Sequence, residues 1–169
     1  PGTTVTHAAI KNMADCGTQI IWTGEDGVRL YAHGLGHARS ARLLQRQALL
    51  SATVASRLCV ARRMYLMRFP GDVPADADIK RLRGMEGVRV REAYAAASRA
   101  TGVPWHGRRY VPGKPSASDP VNLALSAANA CLYGVCHAAI VSVGLAPGLG
   151  FIHVGRSQSF VYDIADLYK

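Results

Sequence analysis

No formally charged side chain occurs between residues 120 and 155, and a globular chain must bury much of so apolar a stretch. Its length alone would let it cross a bilayer. However, Asn122, Ser126, Asn129, His137 and Ser142 interrupt the pattern, and Gly134 and Pro147-Gly148 break it. The stretch therefore predicts a long helix at the centre of a protein core, with no membrane association. Ser118 or Asp119 followed by Pro120 supplies the start signal for that helix.

The rest of the chain divides around residues 34–36 (Gly-Leu-Gly). Before them, Thr6 caps a short helix over 7–15, and Gly17 offers the left-handed residue that ends it. The β-rich run 18–23, the turn chemistry of 24–27 and the alternation of 28–33 then predict a β-hairpin. A lone hairpin is marginal in water, so these strands are expected to close a larger sheet whose other strands precede Pro1. After the Gly-Leu-Gly boundary the period becomes helical. Leu43, Leu50, Val54, Leu58 and Tyr65 place a single helix over 39–69, with Arg39, Arg42, Arg46 and Arg57 along another face. Asp78 caps a further helical segment that runs to Gly102, with an interruption possible at Gly84 and Gly87. A basic loop covers 108–117, and a last helix begins near Ser159. The fold class is α+β: residues 1–35 read as the end of a β-domain, and residues 36–169 as a mainly α-helical domain. The chain starts without methionine and stops inside a helical pattern, so it is read as a piece of a longer protein.

Twenty Lys and Arg face eleven Asp and Glu, and sixteen of the twenty are arginine, whose planar fork suits phosphate oxygens. A polyanionic partner is favoured. Cys16, Cys59, Cys131 and Cys136 lack any C-x-x-C spacing and read as buried free thiols of a reducing, cytoplasmic compartment. No secretory signal is evident.

Against this basic background, a few acids stand in apolar surroundings. Asp163 and Asp166 lie three apart, so a helix carries both carboxylates on one face, where they repel unless a divalent cation offsets them. His153 precedes them by ten and thirteen residues, close enough for one turn to bring imidazole and carboxylates together. Mixed carboxylate and imidazole donors suit Mg²⁺ or Mn²⁺ acting on phosphate. Spacing alone does not bring Glu86 to this group.

The stretches LRGMEGVRVREAYA (82–95), GVPWHGRRY (102–110), NACLYGV (129–135) and GFIHVGRSQSFVYDIADL (150–167) resemble the CRISPR-associated integrase family Cas-one, of the subtype I-E kind. AAIKNMADCGTQIIW (8–22) and GEDGVRLYAHG (24–34) resemble it too, so the likeness covers nearly the whole chain. It implies an N-terminal β-domain joined to a helical domain that carries a Mg²⁺ or Mn²⁺ site. Glu86, His153 and Asp166 match the family's metal ligands, and Asp163 an accessory acid beside them. Arg83, Arg91, Arg108, Tyr110, Tyr133 and Tyr162 match positions that grip DNA, and Arg156 stands where relatives can have lysine. Physically, arginines suit phosphates and tyrosines suit unpaired bases.

What the resemblance implies functionally is a DNA integrase of CRISPR adaptation, which joins the 3′-OH ends of spacer precursors to the CRISPR repeat by transesterification. Expected partners are double-stranded DNA with single-stranded 3′ ends, the repeat DNA, a second copy in a homodimer and the small adaptation protein Cas-two. Two alternatives stay open: a metal-dependent nuclease of branched DNA, and a non-catalytic DNA-binding subunit.

Overall fold

The computed structural model describes residues 2–24, 30–34, 38–71, 73–109 and 119–169. Helix α1 (His7–Asp15) starts where Thr6 Oγ1 accepts the Ala9 amide at 3.2 Å, and it closes through Gly17 at φ 70°. Strands β1 (Ile21–Thr23) and β2 (Leu30–His33) pair antiparallel, Ile21 opposite His33, with an irregularity between Trp22 and Thr23. The expected hairpin is present. Most of its turn, and part of the Gly-Leu-Gly boundary, lie outside the described residues.

The single helix expected over 39–69 is two helices, α2 (Arg42–Ser51) and α3 (Val54–Arg68). Thr53 is extended (φ −118°, ψ 154°), and its hydroxyl accepts the Ser56 amide at 3.1 Å, so a fresh N-cap interrupts the run. Two residues expected on the inner face are turned out: Leu43 is 50% and Val54 66% exposed. Arg57 sits on the second helix, so it does not continue the line of Arg42 and Arg46.

Helix α4 (Ile79–Thr101) begins on Asp78, which accepts the Arg81 amide at 2.7 Å, and ends on left-handed Gly102 (φ 71°). It runs unbroken through Gly84 and Gly87. Arg62 of α3 fixes the approach to it, donating to the carbonyls of Pro74 and Ala77 at 2.9 and 2.7 Å. Helix α5 (Pro120–Ser142) is the predicted apolar helix, capped by Asp119, which accepts from the Asn122 amide. By length and composition it is long and apolar enough to cross a membrane. Here its Cys136 and Ile140 pack with Met64 of α3 and with Phe151, Phe160, Val161 and Ala165. The last four belong to the loop after α5 and to α6 (Ser159–Ala165), which runs into a 3-10 turn, Asp166–Tyr168. A second cluster, Tyr65, Ala77 and Leu82, joins α3 to α4, and Ile152 packs against both clusters.

The loop between α5 and α6 is held from behind by Gln47 of α2. Its amide donates to the carbonyls of Ala146 and Leu149 at 2.9 and 3.0 Å and accepts the Ala146 N–H at 2.8 Å. A side chain at Gly150 would collide with the His153 carbonyl and Ser159, so only glycine fits there. All four cysteines are free, but only Cys136 is buried; Cys16, Cys59 and Cys131 are exposed, against expectation.

Candidate functional site

The anchor of the site is a buried carboxylate. Asp163, on α6, is fully buried. The loop that Gln47 and Gly150 shape turns three successive amides toward it: Phe151 and Ile152 donate to Oδ2, and His153 donates to Oδ1 at 2.8 Å. The His153 ring adds a fourth hydrogen bond, Nδ1 to Oδ1 at 2.8 Å. An ionised carboxylate only accepts, so Nδ1 is the donor, and in the neutral ring Nε2 keeps its lone pair. From their spacing alone, repulsion between Asp163 and Asp166 calls for a cation. The structure gives Asp163 a different role, as acceptor for a loop and orienter of an imidazole.

His153 Nε2 faces Asp166 Oδ2 at 3.9 Å. Asp166 opens the 3-10 turn, and its Oδ1 accepts from Lys169 Nζ at 2.8 Å. The same Nζ donates to the Tyr133 hydroxyl at 2.7 Å and lies 4.4 Å from the Tyr133 ring centroid. Burial opposes the Lys169 charge, but Asp166 and Tyr133 outweigh it and raise the ammonium pKa.

Glu86 comes from the middle of α4. A small cavity lined by Tyr65, Arg68, Glu86, Ile152, Asp163 and Asp166 brings it beside the other acids. Both of its oxygens have partners: Arg68 donates to Oε1, and the Tyr65 hydroxyl donates to Oε2 at 2.9 Å. Burial, then the Glu86 charge, pushes the Tyr65 phenol far above its usual range, so it remains a donor. Among the described residues no group of three or more His, Cys, Asp or Glu side chains is arranged to hold a metal ion. Glu86 is turned to Arg68 and Tyr65, and Asp166 to Lys169. The donor chemistry nevertheless suits a hard divalent cation: two carboxylates and an imidazole nitrogen whose other nitrogen is fixed.

On the solvent side, a cleft of about 480 Å³ is lined by Arg83, Tyr133, His153, Arg156, Tyr162 and Asp166, with Lys169. Tyr162 meets Tyr133 edge to face at 5.1 Å and His153 at 5.8 Å between ring centroids. The predicted residues Arg83, Tyr133, Arg156 and Tyr162 therefore share one cleft with His153 and Asp166. Arg91 lies two helical turns beyond Arg83 on α4 and does not line this cleft. Arg108 is held elsewhere: its guanidinium donates to the Asn122 carbonyl and side chain, both at 2.9 Å, and to Ser126 Oγ at 3.0 Å. Tyr110 lies outside the described residues.

Three residues at the site escaped the sequence reading. Tyr65 and Arg68 are three apart on α3, and Lys169 is three from Asp166. The last spacing is an ordinary i, i+3 ion pair and was open to recognition. Arg68 and Glu86 meet only through tertiary packing.

Comparison with known proteins gives this geometry a family. The chain is 55% identical over 169 residues to "CRISPR-associated endonuclease Cas1 2" of Thermus thermophilus, covering 100% of this chain and 52% of that protein. It is 49% identical over 170 residues to "CRISPR-associated endonuclease Cas1" of Escherichia coli K12, of which it covers 55%. The chain thus spans about half the length of these curated relatives. A crystal structure of a TtCas1–DNA complex superposes with a TM-score of 0.83 at 55% identity, covering all of this chain and 63% of that one. A casposase bound to an integration product shares the fold, with a TM-score of 0.65 at 22% identity, covering 98% of this chain and 57% of that one. Residues 66–169 match the sequence family described as CRISPR associated protein Cas1, and the chain belongs to that family.

Proposed function

We propose that this chain carries the catalytic site of a divalent-metal-dependent DNA integrase of CRISPR adaptation. The observation that carries the reading is the pairing of an oriented imidazole with a carboxylate. His153 Nε2 faces Asp166, Asp163 fixes the ring from behind, and Glu86 lines an adjoining cavity with Asp166. Membership of the family, and the basic, tyrosine-lined cleft in front of that pair, support it further.

In this reading Glu86, His153 and Asp166 hold Mg²⁺ or Mn²⁺. When bound, the cation polarises the phosphodiester and offsets charge on the attacking and leaving oxygens. The chain's own residues do the rest. Asp163 keeps the Nδ1 proton on its own side of the ring, leaving Nε2 as a donor atom for the ion. Arg83 and Arg156 bind phosphates at the rim of the cleft, and Tyr133 and Tyr162 offer ring faces and edges to an unpaired 3′ end. The nucleophile is the 3′-OH of the captured DNA, so no serine or cysteine is required. Double-stranded DNA with single-stranded 3′ ends, CRISPR repeat DNA, a second copy of the protein and the small protein Cas-two are its partners, and the cytoplasm its location.

The names of the curated relatives favour a second reading, a nuclease that uses water in place of the 3′-OH. One assay separates the two. A labelled 3′-OH duplex is incubated with repeat-bearing plasmid and Mg²⁺ or Mn²⁺, and joined products are counted against cleaved ones. Joining is expected, and Glu86→Ala, His153→Ala and Asp166→Ala should each reduce it at least about 100-fold. Wild-type joining by any one variant removes that residue from the site, and cleavage without joining favours the nuclease.

A further inference from the structure

The two carboxylates that the proposed function assigns to a metal are already neutralised by cations of the chain itself. Arg68, from α3, approaches Glu86 with its side chain only 7% exposed, against 19% for Glu86. One guanidinium nitrogen donates to Glu86 Oε1, and the other donates to the Lys169 carbonyl at 3.0 Å. The Tyr65 hydroxyl occupies Oε2. Lys169 Nζ donates to Asp166 Oδ1 at 2.8 Å, while His153 faces the other oxygen, Oδ2.

We propose that Arg68 and Lys169 are resident counter-cations of this site: they neutralise Glu86 and Asp166 in the metal-free protein and are exchanged when a divalent ion binds. The inference rests on the metal-dependent reading of the site. Charge balance supports it. Glu86 and Asp166 each already have a cation of the chain against them, and a divalent ion brought to the same carboxylates without any displacement would sit beside a guanidinium and an ammonium that repel it. Coordination leads to the same place. Arg68 and Tyr65 each take a lone pair of Glu86, so an arriving ion competes with them for the carboxylate, and the cationic Arg68 is the partner that it repels. Room for the exchange exists, because Lys169 borders the open cleft and its ammonium sits on a flexible stem. The counter-cations also let the site fold before the ion arrives, since an unpaired Glu86 at this depth would destabilise the packing of α3 on α4.

Arg68 and Lys169 are thus positioning residues that act through the carboxylates, and their removal should strengthen metal binding. Mn²⁺ is titrated calorimetrically into metal-free protein, and melting temperatures are recorded with and without Mn²⁺, for wild type, Arg68→Gln, Arg68→Lys and Lys169→Met. Glu86→Gln and Asp166→Asn serve as site controls. Arg68→Gln and Lys169→Met should each lower the Kd about tenfold, because each removes a positive charge that repels the ion. Arg68→Gln should melt earlier without metal and gain more from Mn²⁺ than wild type does. Arg68→Lys should stay near the wild-type Kd. An unchanged or weaker Kd in Lys169→Met and Arg68→Gln overturns the exchange, and Lys169→Met decides alone if Arg68→Gln does not fold. A wild-type protein without saturable Mn²⁺ binding, or with binding that survives both control substitutions, overturns the metal site itself and the exchange with it.

Discussion

Asp163 and Asp166 stand three residues apart, yet their surroundings assign them to different work. Asp163 has no solvent contact and accepts from three backbone amides and one imidazole; Asp166 is 20% exposed on its side chain and pairs with Lys169. Substituting Asp163→Asn keeps the shape but sets an NH₂ group against donors that need an acceptor. It should cost about 3–5 kcal/mol of stability, the range for breaking a buried charged network. Asp166→Asn should stay within about 1 kcal/mol of wild type, since it removes only a partly exposed pair, while DNA joining disappears. Urea denaturation of both variants checks this, and equal stability losses would refute the division of labour. The helix spacing made the pair visible in the sequence, but it treated the two acids alike. What separates them is a chain reversal around Gly150, and no local pattern reports where three amides of that loop will point.

At the scale of elements, the helices were legible wherever a cap or a breaker was present. Thr6, Asp78, Asp119, Gly17 and Gly102 marked ends that the structure keeps. The break between α2 and α3 went unread because Ala52 and Thr53 both fit a helical pattern, and the apolar spacing continued across them. Arg57 consequently belongs to a different helix from Arg42 and Arg46, and the single helical face expected to carry them is interrupted. Helix α5 was read as core, and it carries one buried polar group with a consequence for stability. The His137 ring is buried, its Nδ1 has no hydrogen-bond partner among the described residues, and burial, followed by the His33 charge on β2, lowers its pKa from 6.5. In the unfolded chain the same ring titrates at its ordinary value, so below about 6.5 the unfolded state binds more protons and stability falls with pH. His137→Leu should remove this part of the acid sensitivity. Melting temperatures from pH 8 to pH 5 should therefore fall less steeply in the variant than in wild type, and parallel curves would exclude His137 as the source.

Over the whole molecule, the net charge of +9 pointed to a polyanion but not to the surface that meets it. Resemblance named seven DNA-gripping residues. Four of them, Arg83, Tyr133, Arg156 and Tyr162, line one cleft, and Arg108 is instead committed to the first turns of α5. An arginine that matches the family can thus serve either DNA or the fold, and salt dependence tells the two apart. If DNA enters the cleft, the logarithm of its affinity falls linearly with the logarithm of salt concentration, with a slope of about 0.9 for each phosphate that the protein neutralises. Arg83→Ala and Arg156→Ala should each weaken DNA binding and flatten that slope by about the amount due to a single phosphate. Arg108→Ala should lower the melting temperature instead, since it leaves the Asn122 carbonyl and Ser126 without their charged donor, and should keep the wild-type slope in the protein that remains folded. A slope change confined to Arg108→Ala would move the DNA path from the His153 cleft to the start of α5. The proposed chemistry would then have to be sought where the phosphates are.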